Sequence, residues 1–106
     1  MNEAVMAEIA AAGWAATPTS EAARVEVRHR LVEGLVGSAT VERDTELIRV
    51  FLYASDGVNA GTGVAPTFAD ASFKAALNAV ESGSDLASKG ALALRAMAEN
   101  FRRVPG

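Results

Sequence analysis

The sequence predicts an α+β fold: a three-stranded antiparallel β-meander packed with about four helices, in the order α-α-β-β-β-α-α. Three observations lead there. Alanine-rich segments with apolar residues at helical spacing occupy both ends of the chain. Between Ala39 and Ala54 apolar residues alternate, as on a half-buried strand. Asp56-Gly57 then supplies the residue pair preferred in a two-residue hairpin turn, because both positions tolerate positive φ. With 106 residues the chain is expected to form one compact domain around a single core. Its 23 alanines leave that core to rest on fewer, larger side chains, with alanine faces letting helices approach closely.

The first helix is expected over residues 2–12, with Val5, Ile9 and Ala12 on one stripe and Glu3 and Glu8 off it. Gly13 stops it, and Trp14 packs back on it. The stretch ATPTS reads as a turn leading to Ser20 as N-cap, with Glu21 favouring the positive end of a helix dipole. From Glu21 to Val36 two periods compete. Val25, Val27, His29 and Leu31 alternate as in a strand, whereas Val25, His29, Val32 and Val36 form a helical stripe. The cap, the length and Gly37 at the far end favour a helix.

Three strands follow. The first holds Ala39, Val41 and Arg43, and the second Ile48, Val50, Leu52 and Ala54. The third runs from Val58 to Ala65; its glycines weaken it and suit an edge position. Thr67 then caps a helix with Asp70 three residues on, Phe73, Ala76, Leu77 and Val80 form its expected buried stripe, and Gly83 ends it. Ser84-Asp85 opens a last helix with Leu86, Gly90, Leu94, Met97 and Phe101 on one face, its C-terminal dipole met by Arg102 and Arg103.

Composition removes several function classes. No apolar run approaches the ~20 residues that span a bilayer, and the N-terminal stretch carries acids where a signal peptide carries bases. The absence of cysteine excludes disulfides, thiolate metal sites and thiol nucleophiles. A cytoplasmic protein is expected. The net charge of −3, with acids and bases interspersed, argues against a general polyanion binder.

The stretch SDGVNAGTGVAPTFADAS invites comparison with a nucleotide loop. Gly61 and Gly63 supply two glycines of a dinucleotide fingerprint, but Pro66 stands where the third belongs. No Gly-Lys-Ser/Thr follows, so it is not a P-loop. A calcium loop from Asp56 fails at Val58 and at Thr67. The reading is a turn, a soft strand and a capped helix, with no cofactor and no metal.

His29 is the one histidine and lacks a partner at metal-binding or catalytic spacing. Arg24, Arg28 and Arg30 make the densest basic stretch, interleaved with Glu21, Glu26 and Glu33 as on a solvated helix face. On the middle strand, Arg49, Phe51 and Tyr53 project opposite Ile48, Val50 and Leu52. Those three residue types are enriched at interface centres. Burial under a terminal helix is the other account of them.

The stretch DGVNAGTG followed by KAALNA is similar to the third strand and second helix of the double-stranded-RNA-binding domain, over about sixty residues. That resemblance implies a helix, three antiparallel strands and a helix. The lysine cluster with which the family grips phosphates is replaced by PTFADAS, so no RNA-binding residue is carried over.

The expected function is a non-enzymatic protein-interaction module, such as a small inhibitor, immunity or accessory protein of the kind found on phage or mobile elements. Its surface would be Arg49, Phe51 and Tyr53, meeting a partner protein or a second copy in a homodimer. The alternatives are nucleic-acid binding through a basic patch of Arg24, Arg28, Arg102 and Arg103, and a small enzyme using His29 with a distant carboxylate.

Overall fold

The computed structural model describes residues 3–41, 46–53, 59–82 and 91–92. Its elements are α1 (Glu3–Ala11), β1 (Trp14–Pro18), β2 (Arg24–His29), β3 (Val36–Val41), β4 (Ile48–Tyr53), β5 (Asn59–Ala65) and α2 (Phe68–Ser82). The strands form one five-stranded antiparallel sheet in sequential order. This corrects the three-stranded meander with four helices. The fold is broadly α+β, but with five strands, two helices among the described residues, and more strand than helix there. The order therefore also departs from that of the double-stranded-RNA-binding domain. The Asp56-Gly57 turn and Gly83 lie outside the described residues, as does the last expected helix except for helical Ala91 and Leu92.

The segment expected as a helix from Glu21 to Val36 is instead β2, a turn and the start of β3. What resembles a cap at Ser20 is a local turn built by Thr19. Its Oγ1 accepts from the Glu21 amide at 3.1 Å and donates to the Arg24 carbonyl at 2.9 Å, returning the chain as a strand. Alternation then prevails over the helical stripe because neighbours exist on both sides. Val25 pairs with Pro18 and Ala39, and Val27 with Ala16 and Gly37. Of the turn expected over residues 16–20, Ala16 to Pro18 belong to β1 and the chain turns only from Thr19 on, while Gly37 lies inside β3.

Other expectations hold. Gly13 ends α1 with φ of 90°, a conformation disfavoured for other residues. Trp14 joins Val5 and Ile9 in the core. The Asp70 amide donates to Thr67 Oγ1 at 3.3 Å, capping α2, while the Phe68 amide is taken by Glu8 Oε1 from α1 at 3.1 Å. Strand β5 is an edge.

Each strand sends alternate residues to one inner face. Trp14, Val25, Val27, His29, Ala39, Ile48, Val50, Leu52 and Ala65 are buried there. Both helices lie on that side: α2 against β5 and β4, and α1 against β1 and α2. The buried stripe of α2 is Phe68, Ala71, Ser72, Ala75, Ala76 and Ala79. This corrects the expected stripe: Phe73 and Leu77 are 40% and 39% exposed, while Ala76 alone of the fully described expected positions is buried, Val80 being half-buried. The reason lies in β5. A Cβ at Gly63 would strike the Ala71 carbonyl and the Ala75 nitrogen, and one at Gly61 the Ala75 carbonyl and the Ala79 nitrogen. Helix and strand therefore meet backbone to backbone, and only alanine and serine fit between them.

The free edge of β5 is also covered by α2. Lys74 Nζ donates to the Val64 carbonyl at 3.3 Å, and Asn78 Nδ2 to the Thr62 carbonyl. A paired edge carbonyl is a poor template for a further strand. At the opposite edge β1 is short and ends in Pro18, which has no N–H to donate.

The close approach yields a prediction. Gly63→Ala must push α2 off the sheet, because the obstructing atoms are helix backbone. The expected loss is about 1–3 kcal/mol, read as a lower urea midpoint with unchanged slope. An unchanged midpoint would show that helix and strand do not touch there.

Candidate functional site

Strand alternation that buries Val25, Val27, Val50 and Leu52 turns their neighbours to the opposite, outer face. Three transverse rows result from the strand register. Arg24, Thr40, Arg49 and Val64 form one; Thr17, Glu26, Ser38, Phe51 and Thr62 the next; and Ala15, Arg28, Val36 and Tyr53 the third. Neither described helix packs on this side. Arg49, Phe51 and Tyr53 are half-buried, and Arg28 is exposed.

The structure thus joins residues that the sequence presents as two separate candidates. Arg24 and Arg28, expected on a helix, lie on β2 and share a face with Arg49, Phe51 and Tyr53. The contact is direct: Arg24 Nη2 donates to Tyr53 Oη at 3.2 Å. Tyr53 Oη also bonds Ser38 Oγ at 2.8 Å. Tyr53 starts on β4, Ser38 on β3 and Arg24 on β2, so the phenol crosses β3 and its ring lies along the sheet. Ser38 is buried beneath it. Sequence reasoning misses Ser38 entirely, and the Val25, Val27, His29 alternation is the signal that places Arg24 and Arg28 here. Arg102 and Arg103, the rest of the basic patch, lie outside the described residues.

Two further features shape the electrostatics. The Arg49 guanidinium carbon stands 6.0 Å from the Phe51 ring centroid, at the outer limit of a cation–π contact. Arg24 Nη2 is 3.7 Å from Glu26 Oε1, a loose and partly exposed pair. Arg24 Nε is shielded from water and has no hydrogen-bond partner among the described residues.

On the inner face His29 serves the fold. It is 4% exposed, and its Nδ1 accepts the backbone amides of Leu31 and Val32, both at 3.1 Å. That fixes the neutral tautomer with hydrogen on Nε2 and shapes the β2–β3 turn. Trp14 meets its ring edge-on at 5.0 Å and meets Phe68 likewise at 6.0 Å. A cleft of about 240 Å³ between α1 and the β1–β2 turn is lined by Met6, Pro18, Thr19 and Arg24 among others. It is smaller than the ~300–1,000 Å³ usual for ligand pockets. Among the described residues no cluster of three or more His, Asp or Glu is placed to hold a metal ion. No helix among them is long and apolar enough to cross a membrane. Comparison with models of protein families, with curated proteins and with solved structures finds no match.

Burial lowers the His29 pKa below its ordinary 6.5. An unfolded chain then binds a proton more readily than the folded one, so stability is full above about 6.5 and declines as pH falls below it. His29→Asn puts an amide oxygen near the Nδ1 position without a titrating ring. Urea unfolding at pH 7 and pH 5 should show a larger acid loss for the parent than for this variant. Equal losses would remove His29 as the cause.

Proposed function

We propose that the protein is a non-enzymatic protein-interaction module that binds through the outer face of its sheet. One observation carries this reading: Arg24, Arg28, Arg49, Phe51 and Tyr53 gather on the face opposite both described helices. Arginine, phenylalanine and tyrosine are the residue types that anchor protein interfaces. The other routes to a partner are less inviting. The β5 edge has carbonyls paired by Lys74 and Asn78, and β1 is short and ends in proline. A small inhibitor, immunity or accessory protein fits this description.

Nucleic-acid binding is the second reading, and the same observation favours it over its original form. Arginines beside aromatic rings on an antiparallel sheet can meet phosphates and stack bases. A basic helix is no longer part of it, since Arg24 and Arg28 lie on a strand.

The test separates binding from folding. Phe51→Ala removes a cross-strand contact and should cost about 1 kcal/mol or less, whereas Leu52→Ala, one residue along on the buried face, should cost about 2–5 kcal/mol. Tyr53 is left in place because removing it strips Ser38 of its partner. Proteins from the native host retained by the immobilised parent chain should be lost from a Phe51→Ala/Arg28→Ala variant that melts close to the parent. Interface anchors cost ~2 kcal/mol each, a roughly thirtyfold fall in affinity. Retention of the same proteins by both would refute the assignment of the face, and a collapse in melting temperature for Phe51→Ala would make it core.

A further inference from the structure

We propose that the β2–β3 turn, residues 30–35, opens in mild acid because it is latched by a single atom, Nδ1 of His29. The device stands apart from the outer face: His29 is the last residue of β2 and is buried on the inner side. Its Nδ1 accepts the amides of both Leu31 and Val32 at 3.1 Å. The His29 amide donates to the Leu35 carbonyl at 3.0 Å, and the Leu35 amide to the Val32 carbonyl at 3.2 Å. One residue thus holds both ends of the turn, the near end by its ring and the far end by its backbone. Only a neutral ring can do so, because the lone pair that accepts the two amides is the one a second proton would occupy.

Protonation turns Nδ1 into a donor facing two donors. The Leu31 and Val32 amides then lose their acceptor, and the Val32 bond is buried. A buried amide without a partner is costly, so the turn must open until water can take both. Opening brings out Val32 and Leu35, which are 7% and 0% exposed, beside Leu31, which is already 81% exposed. It also frees the edge contact between the His29 ring and Trp14. The change can stay local, because Val27 remains paired with Ala16 and Gly37 in the sheet.

The groups around the ring set the pH of the event. Strands β1 and β3, which flank β2, carry no charged residue. On β2 itself Arg24, Glu26 and Arg28 belong to the outer face, and in the turn Arg30 and Glu33 are exposed. Trp14 links His29 to the helices. There Glu8 of α1 receives the Phe68 amide, while Glu3 of α1 and Asp70, Lys74 and Glu81 of α2 are exposed. Burial lowers the His29 pKa from its ordinary 6.5. The open turn, with the ring in water, therefore binds a proton more readily than the closed one. Closure is fully favoured above about 6.5 and weakens as pH falls below it. A carboxylate meeting Nε2 from elsewhere in the chain would move that pH without restoring the acceptor, since the second proton still occupies Nδ1.

The test is amide hydrogen exchange of the full chain, resolved by residue, between about pH 7.5 and 5.5, with each rate divided by its intrinsic value at that pH. His29 is the one histidine, so no other side chain of ordinary pKa titrates in this window. Protection of Leu31 and Val32 should fall by up to about tenfold, the bound that an ordinary imidazole pKa sets over that range. Val27 and Val50, inside the sheet, should keep theirs. His29→Asn retains an acceptor that does not titrate and should flatten the dependence; should that variant fail to fold, the parent alone still decides. Unchanged protection of Leu31 and Val32 in the parent would overturn the latch, as would a folded His29→Asn chain with the parent's pH dependence. An equal loss at Val27 and Val50 would replace a local device with unfolding of the whole sheet, and would overturn it too.

Discussion

The architecture depends on one close approach. Gly61 and Gly63 bring no side chain to the inner face of β5 at their positions, and the backbone of α2 comes down on them. Ala71, Ala75 and Ala79 line the helix side of that seam because nothing larger fits. Packing at this distance fixes where α2 lies. Lys74 and Asn78 then reach the edge carbonyls of β5, and Phe68, at the helix start, reaches Trp14. One short seam thus closes the inner face, covers an edge and completes the aromatic corner around His29.

Closing one face decides what the other can be. In a strand, residues that leave the core must emerge on the opposite side. The valines of β2 and the Ile48, Val50, Leu52 series of β4 therefore determine where Arg24, Arg28, Arg49, Phe51 and Tyr53 stand. Tyr53 ties them together, since its hydroxyl meets Ser38 and Arg24 across two neighbouring strands. The Tyr53 side chain is thus held across the face by two contacts within the sheet.

Local chemistry in the sequence reaches some of this and stops at identifiable places. Strand β4, with its two faces, is legible because its alternation has no helical competitor. The same holds for the Gly13 stop, the Thr67 cap and the glycine-softened edge strand. Strand β2 is not, since Val25 and His29 satisfy both periods and the choice is made by pairing with β1 and β3. The buried stripe of α2 is misread for a related reason. Burying Phe73 and Leu77 looks favourable locally, but the glycines that demand alanine on the facing side are ten to sixteen positions upstream of them, in another element. The candidate face is half legible: Arg49, Phe51 and Tyr53 follow from β4 alone, while Arg24 joins them through a contact spanning 29 positions and Arg28 through the pairing of β2 with β3.

The most direct test is a nuclear Overhauser spectrum of the labelled protein over residues 24–36, because everything said of the outer face requires β2 to be a strand. The account predicts backbone contacts from Val27 to Ala16 and to Gly37, together with contacts between the Arg24 and Tyr53 side chains. A run of helical contacts between residues three apart over this stretch, without those cross-strand signals, would return Arg24 and Arg28 to a helix and dissolve the face.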